Sequence, residues 1–160
     1  MDEQQIKQIV ESVVGRIEDK QTSITLEQAK YLIEQTEKRA KEVGVNAVIA
    51  VCNAGGNPVA VHCMDDSYLA SYDIAVQKAY TAVALQMPTI QLKKLSQPGG
   101  SLYGIQNTNQ GRIVIFGGGE PLVHSGWVIG GFGVSGGTEE QDTALAEYGK
   151  QIAKEAFSWQ

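Results

Sequence analysis

The chain has 160 residues, 42% of them hydrophobic, and carries 13 Lys and Arg against 18 Asp and Glu, for a formal net charge of −5. That length suits one compact domain with a short appendage, and the acidic balance, with arginine only at Arg16, Arg39 and Arg112, argues against a nucleic-acid partner or an anionic membrane, which need clustered cations. No run approaches the roughly 18 apolar residues of a membrane span, and the opening MDEQQIKQIVESVV is too charged and amphipathic for a secretory signal, so a cytoplasmic location with Cys52 and Cys63 as reduced thiols is expected.

The first element is a helix: Ile6, Ile9, Val10, Val13, Val14 and Ile17 form one apolar stripe with charged and amide residues opposite. Glu18 to Ser23 interrupts the pattern, which divides the chain into an N-terminal segment, residues 1–20, and a domain, residues 24–160. A second helix opens at Thr25, which forms a capping box with Gln28, and runs through Leu26, Ala29, Leu32, Ile33, Thr36, Ala40 and Val43 to Gly44. Residues 47–53 and 58–64, joined by Ala54-Gly-Gly-Asn57, read as a β-hairpin. A long helix follows from Ser67 to about Met87, with Ala70, Ile74, Ala75, Ala79, Val83 and Ala84 as its expected core face, and Pro88 ends it. A short helix near Ile90 to Leu95 leads into a loop rich in turn formers, residues 97–104. Strands are expected over Ile113 to Phe116, Leu122 to His124 and Trp127 to about Val134, the last two joined by a tight Ser125-Gly126 turn. A helix from Glu139 to about Phe157 closes the chain. Strands joined by hairpins imply an α+β fold, an antiparallel sheet covered by helices.

Gly131-Phe132-Gly133-Val134-Ser135-Gly136 satisfies the G-x-G-x-x-G spacing of a dinucleotide-binding turn. That motif needs a second parallel strand beyond its helix, and only one helix remains. Thr138 and Gln141 make another capping box, and Glu139, Glu140 and Asp142 put negative charge where a pyrophosphate would sit. The glycines are better read as a strand lying close to a neighbouring backbone or a flat ligand.

Four segments in order resemble the GlcG/HbpS-like haem-binding family, which also supplies the C-terminal domain of PduO-type corrinoid adenosyltransferases. They are Ala54-Gly-Gly-Asn-Pro-Val59; Ser71-Tyr-Asp-Ile-Ala75 with Lys78-Ala-Tyr-Thr-Ala82; Phe116-Gly-Gly-Gly-Glu-Pro-Leu122; and Gly133 to Asp142. The resemblance spans about residues 24 to 157. It implies a sheet of about five antiparallel strands, assembly into homo-oligomers, and haem as the cofactor, with haem degradation a further activity claimed in the family. Corrinoid adenosyltransferase chemistry belongs to the other domain of PduO-type proteins and is not expected here. The N-terminal helix resembles the encapsulation peptides that carry cargo into bacterial microcompartments. Ile6, Ile9, Val10, Val13, Val14 and Ile17 would then meet a shell protein of a propanediol-utilising compartment; packing on the chain's own domain or its oligomer mate is the alternative, since a lone helix of this length is marginal.

Haem needs an axial donor. The helix from Thr25 to Val43 has no histidine, so imidazole can come only from His62 or His124, with Met64, Tyr103, Cys63 or Cys52 as other donors. On the long helix Ser67, Ser71 and Lys78 share a face, with Thr81 near it. With Gly117, Gly118 and Gly119, whose amides can approach an anion, Ser71, Lys78 and Thr81 could form a pocket for a carboxylate-bearing ligand. The same pattern arises if Lys78 pairs with a carboxylate and the serines cap or face solvent, and that reading is favoured. Alternation puts His62 opposite Cys63, and the acidic pairs near both helix starts lack a third convergent ligand, so no metal site is expected. No nucleophile is legible. The function expected is that of an oligomeric haem- or tetrapyrrole-binding accessory protein, with a small-molecule or haem-degrading enzyme and a structural cargo protein as alternatives.

Overall fold

The computed structural model describes residues 2–18 and 21–158. Among the described residues five α-helices, α1 (Glu3–Glu18), α2 (Leu26–Glu42), α3 (Leu69–Leu85), α4 (Thr89–Leu95) and α5 (Glu139–Phe157), accompany four strands, β1 (Val48–Asn53), β2 (Pro58–Cys63), β3 (Gly119–His124) and β4 (Trp127–Ser135). The strands form one antiparallel sheet in the order β2-β1-β4-β3. The sheet's centre is thus built from the first and the last strand of the chain.

Strand β1 is buried on both sides. Ile49 and Val51 join the larger core, with Leu32 and Ile33 of α2 and Leu145 and Ala146 of α5. Val48, Ala50 and Cys52 point the other way, against Ala75 and Ala79 of α3. The architecture is therefore a helix pair, a sheet and a single long helix in three layers. Both expected capping boxes are present, Thr25 with Gln28 and Thr138 with Gln141. The Ser125-Gly126 turn takes positive φ at both residues, 49° and 79°, the pattern that follows the twist of two-residue hairpins.

Two expectations need correction. The segment Ile113 to Phe116 is no strand, and the sheet among the described residues has four strands rather than five. Ile113 is 3% exposed and serves the core, but the Val114 amide donates to Thr81 Oγ1 at 3.0 Å instead of to a neighbouring strand. The core face of α3 is also displaced: Ser71, Ala75, Lys78, Ala79, Thr81 and Ala82 are buried, whereas Ala70 and Ala84 are exposed. The cause lies in β4. A Cβ on Gly133 would stand 2.1 Å from the Ala75 carbonyl oxygen, and one on Gly131 would stand 2.2 Å from that of Ala79. Only bare glycine backbone lets α3 settle so close, and the residues lying directly over it, Ala75 and Ala79, are small.

The glycine-rich segment is accordingly a sheet strand in close backbone contact, with no parallel strand after it among the described residues. On α1, Ile6, Ile9, Val10, Val13 and Val14 are 42–52% exposed; the side chain of Ile17 lies outside the described residues.

Candidate functional site

Three of the expected site residues, Ser71, Lys78 and Thr81, are inward-facing polar residues of α3. Lys78 is fully buried. Its Nζ donates to the Val134 carbonyl oxygen at 2.8 Å and to Asp142 Oδ2 at 2.9 Å, and it lies 5.0 Å from the centre of the Phe116 ring. Burial pushes the Lys78 ammonium below its ordinary value, and the charge and hydrogen bond of Asp142 push back. The ion pair expected as the favoured reading of Lys78 is therefore present, with Asp142 as its carboxylate.

Gly118 and Gly119 lie against this lysine, while Gly117 faces Thr143, Ile90 and Glu139. A Cβ on Gly118 would fall 2.7 Å from Lys78 Nζ, and its φ of 113° is unsuited to a side chain. The Gly117 amide donates to Glu139 Oε2 at 3.1 Å and the Gly119 amide to Thr89 Oγ1 at 2.9 Å, so two of the three amides are already engaged within the fold. Glu139 also pairs with Lys93, and that hydrogen bond above all holds its carboxyl below the usual range. Thr81 serves elsewhere: its hydroxyl donates to the Gln77 carbonyl oxygen at 2.7 Å and receives the Val114 amide. Ser67 precedes the helix and does not share its buried face.

Ser71 reaches a cavity of about 280 Å³, lined by Tyr68, Ile74, Phe116, Ser135, Glu139 and Asp142 among others. The Ser135 hydroxyl, at the end of β4, donates to Ser71 Oγ at 3.2 Å. Asp142 Oδ1 accepts the Gly137 amide at 2.8 Å, so one carboxylate both ties down the turn before α5 and neutralises Lys78. Of the expected pocket residues only Ser71 lines this cavity, together with Ser135, Glu139 and Asp142; Lys78 meets it through Asp142, and Thr81, Gly117, Gly118 and Gly119 lie outside the lining. The acidic pair was visible in the sequence as charge at a helix start; its inward partner was not.

His62 and His124 lie apart from that cavity's lining. His62, on β2, faces α2, and its Nδ1 is 2.8 Å from Glu37 Oε1. His124 ends β3, with Nε2 3.5 Å from Ser125 Oγ and a buried Nδ1. Among the other donors, Met64 Sδ accepts the Ala47 amide at 3.4 Å, Tyr103 is exposed, Cys63 is exposed, and burial pushes the Cys52 thiol up to about 12. Both cysteines are free: Cys63 pairs in register with Val48 and Cys52 with Pro58, so the hairpin does not bring them opposite each other.

Residues 24–151 match a family model described as haem degrading protein HbpS-like. The chain belongs to the HbpS-like family. It is 50% identical over 125 residues, 78% of its length, to a 15.0 kDa protein of Citrobacter freundii from the dhaT–dhaS intergenic region, 88% of which is covered. It is 39% identical over 125 residues to the corrinoid adenosyltransferase PduO of the same organism, but covers only 37% of that longer protein. Among solved structures, the PduOC:heme complex superposes with a TM-score of 0.78 at 36% identity, covering 81% of this chain and 94% of that one. The HbpS-like match begins at residue 24, just beyond the connector that follows α1.

Proposed function

We propose that the chain is a haem-binding accessory protein that works as a homo-oligomer, with His62 as the imidazole presented to the iron. The observation carrying this reading is the contact between His62 Nδ1 and Glu37 Oε1. Metal-ligating histidines regularly donate their second ring N–H to a carboxylate, which fixes the tautomer and raises the basicity of the other nitrogen. With the proton on Nδ1, Nε2 keeps the lone pair that an axial ligand needs. The residues present thus fit the group in donor chemistry, and β2, an edge strand, holds the imidazole at 38% side-chain exposure. Cys52, protonated at neutral pH, is a poor thiolate candidate by comparison. Haem would supply a redox-active iron; the chain's part is to hold and orient it through His62, with Glu37 as the positioning residue. The PduOC:heme structure supports the cofactor, and exposed Tyr68, Leu69 and Tyr72 on the first turn of α3 support self-association.

A haem titration followed by absorption spectra tests this. Wild type and His124→Ala are expected to shift the Soret band alike, whereas His62→Ala loses the shift and Glu37→Gln weakens binding about ten- to a hundredfold. A His62→Ala spectrum identical to wild type would sink the assignment.

A second reading concerns location. The exposed stripe of α1, which precedes the matched residues in sequence, fits a segment that docks on a shell protein of a bacterial microcompartment devoted to propanediol utilisation. Residues 1–20 fused to a fluorescent reporter are expected to carry it into such compartments, and the chain without them to stay outside. Recruitment of the shortened chain would remove α1 from that role.

A further inference from the structure

The cavity where α3, β4 and α5 meet shares no lining residue with His62 or Glu37, and the haem reading leaves it unused. We infer that it binds a small molecule presenting hydrogen-bond donors, of polyol or alkylammonium type, and that it rejects small anions. The chemistry of its wall decides this. Ser71, Ser135, Glu139 and Asp142 contribute its polar side chains besides the rim Tyr68, and no lysine, arginine or histidine lines it. The counter-charges stand outside the lining: Lys78 is sealed at 0% exposure on Asp142 Oδ2, and Lys93 is paired with Glu139 Oε1. An entering carboxylate or phosphate would meet two carboxylates whose lysines are already turned onto them and stand outside the lining, so no lining cation receives it.

A donor is received well. Each carboxylate oxygen offers two lone-pair directions, and the fold's own bonds place one donor on each: Lys78 and the Gly137 amide on Asp142, Lys93 and the Gly117 amide on Glu139. Ser71 and Ser135 are 3% and 5% exposed, and the bond between them consumes a single acceptor position of a pair that has four. Phe116, 40% exposed, and Ile74 supply an apolar side, against which a carbon skeleton or an alkylammonium can rest. The volume of about 280 Å³ lies just under the roughly 300–1,000 Å³ of drug-sized ligand sites, which limits the occupant to a small molecule.

The test is an amide chemical-shift titration of the full ¹⁵N-labelled chain with glycerol, ethylammonium and acetate. Saturable shifts confined to Ser71, Ser135, Gly136 and Gly137 are expected with glycerol or ethylammonium and not with acetate. Ser71→Ala should weaken that binding roughly three- to tenfold, the loss of one ordinary hydrogen bond; Ser135→Ala gives the same reading should the first variant disturb the helix start. Glu139→Gln separates the sources, since it lowers ethylammonium affinity if charge is recognised and leaves glycerol affinity within about twofold if hydroxyls are. Acetate shifting the same amides, no probe shifting them, or serine variants that bind as wild type would each overturn the proposal. Haem binding through His62 is read separately, so failure of either assignment leaves the other standing.

Discussion

At the scale of single residues, burial decides what a side chain can do. Cys52 and Cys63 differ by burial alone: one is 2% exposed with its thiol pushed up to about 12 by desolvation, the other lies on the surface. Native protein is expected to release one equivalent quickly in a thiol assay and the second only on unfolding; Cys63→Ser should leave no fast thiol. Two fast thiols would mean that β1 opens readily. Lys78 makes the opposite case, a charge kept in the core because Asp142 meets it there. Asp142→Asn strands that ammonium and is expected to cost about 3–5 kcal/mol in denaturant unfolding, whereas Lys78→Met combined with Asp142→Leu should cost far less or nothing. The pH dependence has a definite sign. The folded-state value of Lys78 lies below the ordinary 10.5, so between the two values the unfolded chain holds the extra proton, and this group's contribution to stability increases as pH rises through that window. Lys78→Met should flatten that alkaline slope, as read from unfolding midpoints across pH; an unchanged slope would assign it to other groups.

Among the elements, β4 sets the terms for its neighbours. Its glycines do not cradle phosphates; they remove the side chains that would hold α3 off the sheet. Gly133→Ala places a methyl 2.1 Å from one backbone oxygen of α3 and 2.7 Å from a backbone nitrogen, neither able to rotate away. A loss of about 1–3 kcal/mol or more is expected by thermal or denaturant unfolding, and a neutral result would show that the α3 and sheet layers can slide apart freely. This packing explains what could be read in advance and what could not. The hairpin at Ala54-Gly-Gly-Asn57 and the boxes at Thr25 and Thr138 depend on residues within a few positions of one another, and such local chemistry is written in local sequence. The buried face of α3 depends on a strand about fifty residues later, so an apolarity count along the helix chose Ala70 and Ala84 over Ser71 and Lys78. The run Ile113 to Phe116 misled for a related reason: Ile113 is buried, but the Val114 amide meets a threonine hydroxyl on α3 rather than a strand.

Seen as a whole molecule, the chain pairs a matched domain with a helix that stands outside the match. The α+β architecture was legible because hairpins and helices alternate in an order that a parallel sheet cannot satisfy. The candidate sites were legible only in part. Ser71 lines the cavity and Lys78 meets Asp142 beside it, yet the groups that set the cavity's chemistry, Ser135, Glu139 and Asp142, come from the last strand and the last helix. Glu37, which turns His62 from a bland edge histidine into an oriented one, sits on a helix whose pattern announced only its core face.

The double duty of Asp142 reaches beyond the finished fold. Its carboxylate arrives 64 residues after the lysine it neutralises, and residue 48 finds its β4 neighbour only at residue 135. During synthesis, an emerging chain that stops short of β4 therefore holds a lysine without its carboxylate and a middle strand paired along one edge only. Productive collapse has to wait for the last quarter of the polypeptide, and fragments released early are natural substrates for chaperones and proteases.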